Sequence, residues 1–175
     1  KVKVEPAKDT FKDASVRMLK IDRGLTVGLS MSAVDIAIML VLSNNSKPDL
    51  TTHPLSKSDI ALSSGASRTT VNTTLKRLEA KGVLEILPVK DTYRILIDID
   101  DTGDLREFSA ATAERIRRIK RKLYAYQKNA SNKLSATQLS ILSVIIDHTG
   151  IDNECFVSYD TIQQKLSVNR KAVRR

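Results

Sequence analysis

A mostly α-helical fold with small β-wings (α+β) is what this sequence predicts, with one module built twice and joined by a basic helix. Three observations predict it. The stretch from Ser56 to Leu84, SKSDIALSSGASRTTVNTTLKRLEAKGVL, places a short helix, a Ser63-Ser64-Gly65-Ala66 turn and a second helix in the order of a helix-turn-helix. Two β-rich runs, LEILP and TYRILIDI, follow it at hairpin spacing. The helical pattern then returns about a hundred residues later, at offsets of 103 and 102.

The first copy is legible in order. Residues 1–15 are polar, mixed in charge and hold Pro6, which predicts a flexible arm. Residues 16–29, VRMLKIDRGLTVGL, have the short extended pattern of a strand or hairpin. Ser32 followed by Asp35 is an approximate capping box, and Ala33 to Leu42 is apolar nearly all round, so a buried first helix is expected. Residues 44–55, with Asn44-Asn45, Pro48 and Pro54, read as a loop. In the second helix of the helix-turn-helix, Val71, Leu75 and Leu78 fall on one stripe that must be buried. Gly82 stands where a left-handed residue ends a helix. The hairpin tip is Val89-Lys90-Asp91, and helix, helix-turn-helix and hairpin together make a winged helix over residues 16–100.

The acidic turn Asp98 to Gly103 is the best boundary, so residues 101–133 form a linker. Its helix pattern, about 108–128, repeats Ile116, Ile119, Leu123 and Tyr126 at 3-4-3 spacing. From Glu114 to Lys128 there are seven basic residues and one acid, a local charge of +6. Three uses compete for it: packing on the modules, a short dimer seam, and a track of cations along a DNA backbone. Residues 134–175 are then a second winged-helix domain. Ser32 aligns with Ser135, Ala33 with Ala136, Ile36 with Leu139 and Ile38 with Ile141; farther on, Ser56 meets Ser158, Ile60 Ile162, Arg68 Arg170 and Val71 Val173. Ser135 and Gln138 form an S-x-x-Q capping box. This copy stops inside its recognition helix, without a wing, and the chain starts at Lys, so the sequence reads as a piece of a longer protein.

Charge and composition narrow the function. A net charge of +9 and a pI near 9.7 suit a polyanionic partner. With no Trp, four Tyr and three Phe, aromatic base-stacking platforms for single strands are poorly supplied. The lone Cys155 cannot form an internal disulfide and fits a reducing cytoplasm. His148 and Cys155 match no zinc spacing, and Cys155 is expected to pack under the helix-turn-helix. No phosphate-binding glycine loop or hydrolase motif occurs, so the reading is not an enzyme, with no cofactor, no metal and no membrane span.

At DHTGIDNECFVSYDTIQQKLSVNRKAVRR the chain resembles a helix-turn-helix family common in phage and plasmid replication proteins, on Glu154, Cys155, Phe156, Ser158, Ile162, Leu166, Val168, Arg170 and Val173. The first half looks like the opening of replication initiators and replisome organisers. The resemblance covers most of residues 17–98 and 134–175. Two departures are Val157 in place of the usual proline and the turn SSGA in place of L-G-V. The resemblance implies binding to repeated origin sites and host replication proteins as partners; a homodimer, through the seam that the basic helix could form, is a further option.

The candidate interface follows. Lys57, Lys76, Lys90 and Arg94, with Arg117, Arg118 and Arg121 of the basic helix, are candidates for phosphate contact. Arg68, Thr69 and Asn72, with Arg170, Lys171 and Arg174 in the second copy, are candidates for base contact; Ser67, Thr73 and Asn169 complete the set. Threonine methyls suit the thymine methyl, and asparagine can pair bidentately with adenine. Sequence-specific binding of double-stranded DNA is therefore expected. The alternatives are a transcription repressor of a mobile element and a winged-helix scaffold whose Ser and Thr residues only cap and solvate.

Overall fold

The computed structural model describes residues 28–47, 49–97, 118–119, 122–123, 125–127, 129, 131, 133–149 and 154–173. The expected N-terminal arm, nearly all of the strand or hairpin expected over 16–29, the acidic boundary turn and much of the basic helix lie outside these residues.

Helix α1 (Ala33–Asn44) starts at the capping box read from the sequence: the Ser32 hydroxyl accepts from Asp35 N at 3.2 Å, and Asp35 Oδ2 accepts from Ser32 N at 2.8 Å. Every residue from Ile36 to Leu42 is buried. Such a helix needs cover on all sides, and receives it from α2 (Lys57–Ser64), α3 (Arg68–Ala80), and α4 (Ala136–Asp147) of the second half. Each large apolar side chain so buried contributes about 1.5–3 kcal/mol relative to exposure.

Helix α2 is capped by Ser56 and ends at Gly65, whose φ of 70° is left-handed and favours a residue without a Cβ. Helix α3 is capped by Ser67, and its stripe Val71, Leu75 and Leu78 is buried as expected, together with Thr74. Gly82, at φ 67°, turns the chain out of α3 and into β1 (Leu84–Ile86). Strand β1 pairs antiparallel with β2 (Tyr93–Ile95) in the register Leu84–Ile95, Glu85–Arg94, Ile86–Tyr93. Leu84, Tyr93 and Ile95 face the core. The region expected as a plain loop does more than connect. Thr52 N donates to Tyr93 O at 2.8 Å and Ile95 N to Leu50 O at 3.0 Å, so this segment satisfies β2's outer edge.

The described part of the second half follows α1–α3 cap for cap. Ser135 and Gln138 form the capping box of α4. The Ser46–Thr52 bridge recurs as Thr149–Cys155. Ser158 caps α5 (Tyr159–Leu166), and Ser167 takes the left-handed position of Gly65, at φ 50°. Asn169 then precedes α6 (Arg170–Val173). The two halves are not merely strung together: the Ser140 hydroxyl donates to Ala33 O at 2.7 Å in a buried position, and the apolar side chains of α1 and α4 belong to one core. Small residues at Ala33, Ala37, Ala136 and Ser140 are all buried, with little side-chain bulk to keep the helices apart.

Between the halves, residues 118–119, 122–123, 125–127 and 129 are helical. Leu123 packs against the core, one of the three uses open to the 3-4-3 stripe, but Tyr126 is exposed, and Gln127 is the buried residue at the next turn. The physical reason is hydrogen bonding. Gln127 Nε2 donates to Leu134 O at 2.5 Å and its Oε1 accepts from Leu134 N at 2.9 Å, which fastens both polar groups of one peptide residue just before α4.

Candidate nucleic-acid interface

Helix α3 presents two unlike faces because its apolar residues recur at helical spacing. Opposite the buried stripe, Ser67, Arg68, Thr69, Thr73 and Lys76 are exposed, and Asn72 is half-buried on the flank nearest α2. Side chains projecting from the first two turns of such a helix are the ones that reach base edges when a helix-turn-helix enters a major groove.

The hydrogen bonds within this face assign finer roles than the sequence could. The Ser67 hydroxyl accepts from Thr70 N at 3.1 Å and lies 2.8 Å from the Thr70 hydroxyl, so it is engaged as the helix cap. The Thr73 hydroxyl donates to Thr69 O at 3.1 Å, spending its proton on the helix backbone. Lys57 and Asn72, read from the sequence as a phosphate contact and a base contact, meet each other: Lys57 Nζ donates to Asn72 Oδ1 at 2.7 Å across α2 and α3.

Helix α3 is held on its other flank by Arg77, which the sequence reading passed over. Its guanidinium donates to Asp35 Oδ1 in the first turn of α1 and to Thr74 Oγ1 at 3.3 Å. Asp35 is buried and Arg77 is half exposed. A signal for this pair existed, because Asp35 is the one charged residue in the apolar run Ala33 to Leu42. A buried carboxylate demands partners. Lys81 adds a further tie, with Nζ donating to Leu29 O at 2.9 Å and Ser30 O at 2.6 Å just before α1. Together these bonds fix the recognition helix on its support.

At the hairpin, Lys90 is exposed at the tip, and Asp91 adopts φ 55°, a left-handed turn position that aspartate tolerates. Arg94 is exposed and pairs across the strands with Glu85 Oε2 at 3.0 Å, so a phosphate would compete with that carboxylate for it. Beneath the tip, burial and then the Asp91 carboxylate raise the Tyr93 phenol above its ordinary value of 10.0.

In the second half, the Asn169 side chain accepts from Ala172 N at 2.9 Å, a capping role, and Lys171 is exposed. Arg170 is the first residue of α6. Arg118 is exposed on its helical segment, whereas Arg117, Arg121 and Arg174 lie outside the described residues. The structure thus gathers Lys57, Ser67, Arg68, Thr69, Asn72, Thr73 and Lys76 on one surface. Cys155, expected as a packing residue, is half-buried, with Sγ donating to Ile145 O at 3.3 Å. Among the described residues no group of His, Cys, Asp and Glu is arranged to hold a metal, and no helix is long and apolar enough to cross a membrane.

Comparison with known proteins agrees with this geometry. No curated protein and no solved structure matches the chain. The family model described as a Crp-like helix-turn-helix domain matches residues 16–108, more than half of the sequence, and takes in α1, the helix-turn-helix and the hairpin. With the capped helix pair, the polar outer face of α3 and the hairpin behind it, this match shows that the chain belongs to the Crp-like helix-turn-helix family of DNA-binding domains.

Proposed function

We propose that the protein is a sequence-specific reader of double-stranded DNA built from two winged-helix units, residues 16–100 and 134–175, joined by a basic helix within 101–133. The exposed polar and basic face of α3, held rigidly from behind, is the observation that carries this reading. Helix α3 lies in the major groove, where Arg68, Thr69 and Asn72 meet base edges and Lys76 and Lys90 meet phosphates. Ser67 and Thr73 line the same face, and Arg94 joins by exchanging Glu85 for phosphate. In the second unit, Asn169, Arg170, Lys171 and Arg174 repeat the arrangement, while Arg117, Arg118 and Arg121 follow the backbone between the two sites.

The process served is replication initiation on a plasmid or phage, in the cytoplasm, with host replication proteins and a second copy of the chain as partners. The doubled module and the resemblance of both halves to replication proteins support it. Transcription regulation is the second reading, and the Crp-like family match is equally compatible with it. Footprinting on the protein's own replicon separates them: initiation expects tandem direct repeats in an origin, and repression expects one inverted repeat over a promoter. A gel shift with mixed genomic DNA tests the shared premise. No shift at low salt would replace both readings with that of a protein-interaction scaffold.

A further inference from the structure

We propose that Lys57 is a positioning residue that sets the base read by Asn72, making the two side chains a donor-only reader of guanine. The inference rests on the proposed seating of α3 in the major groove. Its basis is the contact of Lys57 Nζ with Asn72 at 2.7 Å, made between helices whose contacting residues lie 15 apart in sequence.

An ammonium group has three donors and no acceptor, so the amide atom facing it must be the carbonyl oxygen. Chemistry therefore fixes the orientation of the Asn72 amide, and the end left for DNA is its NH2. Bidentate pairing with adenine needs both ends: Oδ1 accepting from N6 and Nδ2 donating to N7. With Oδ1 held by Lys57, the adenine amino group finds no acceptor, and it also approaches a cation. Guanine offers O6 and N7 at the same edge, two acceptors and no donor. That edge suits the Asn72 NH2, which only donates, while the Lys57 cation stays on Oδ1 and disfavours an adenine amino group. Both side chains are half-buried, which limits the other positions the pair can take. Asparagine alone in the sequence points to adenine; the lysine beside it reverses that preference.

The test is selection of binding sites from randomised duplex DNA by the wild type and by Asn72→Ala, Lys57→Met and Lys57→Arg. Methionine keeps an unbranched side chain, one atom shorter and without the charge, and suits a helix, so the fold is retained. Asn72→Ala identifies the base position by losing preference there. The wild type should prefer guanine at that position. Lys57→Met should move it toward adenine, changing the guanine-to-adenine ratio by about tenfold or more. Lys57→Arg, which keeps a donor toward Oδ1, should retain guanine. Adenine in the wild type, or guanine unchanged in Lys57→Met with all sites weakened alike, would overturn the proposal and make Lys57 a phosphate contact. Guanine retained by Asn72→Ala would also overturn it, since Lys57 would then read the base directly. If the wild type retards no duplex at low salt, the DNA-binding reading itself fails, and the inference falls with it.

Discussion

Asp35 shows how much a single side chain does in this protein. Its carboxylate closes the capping box of α1 through Ser32 N and receives the guanidinium of Arg77 from α3. Removing the arginine leaves a buried anion with one backbone partner, which costs far more than the loss of an ordinary surface residue. Arg77→Met should lower the unfolding free energy by about 2–3 kcal/mol in urea titration. Lys76→Met, on the exposed face next to it, should change stability by less than about 0.5 kcal/mol. Similar small values for both would show that the pair does not hold α3 in place. This tie was only half legible beforehand. A lone aspartate in an apolar run signals a buried partner, but nothing local selects Arg77, 42 residues away. The pairing of Lys57 with Asn72 was hidden for the same reason, since it exists only once α2 and α3 have packed.

At the level of elements, the sequence was most informative where structure is decided within a few residues. Ser32, Ser56, Ser67, Ser135 and Ser158 each cap a helix through the backbone N–H three residues on. The α3 stripe is buried at the spacing that periodicity requires. Periodicity was silent on Gln127 because hydrophobicity was the criterion, and the buried position beside exposed Tyr126 was won by a side chain that satisfies a peptide. Turns show the same division. Gly65 and Gly82 are both left-handed, but a Cβ on Gly65 would stand 2.1 Å from Leu134 O, whereas one on Gly82 would meet nothing within 4 Å. Gly82→Ala should therefore cost only the backbone strain, about 1 kcal/mol. Gly65→Ala should cost at least about 2 kcal/mol, because the second half must also move from the turn. Thermal unfolding of the two variants side by side measures the difference. Equal losses would mean that Leu134 does not press on the turn of the first helix-turn-helix.

For the molecule as a whole, the net charge of +9 becomes useful only through placement. If α3, the hairpin tip and the second half bear on one duplex, about six phosphates are neutralised, and affinity should fall about a thousandfold between about 50 and 200 mM salt. Fluorescence anisotropy over that range is a direct check, and a flat response would remove the multi-contact model. The return of the helix pattern was legible from two offsets, but the sharing of one core was not. It depends on α1 and α4 meeting through Ala33 and Ser140, a match of surfaces that no local pattern announces.

That shared core has a consequence for measurement of the DNA itself. Two readers on a floppy tether would tolerate many separations between their targets and lose entropy in finding each one. If the second half also reads DNA, two readers cast on one block would act as a calliper whose jaws are set by packed side chains. Loosening the buried contact of Ser140 with Ala33 would then unsettle the gauge itself.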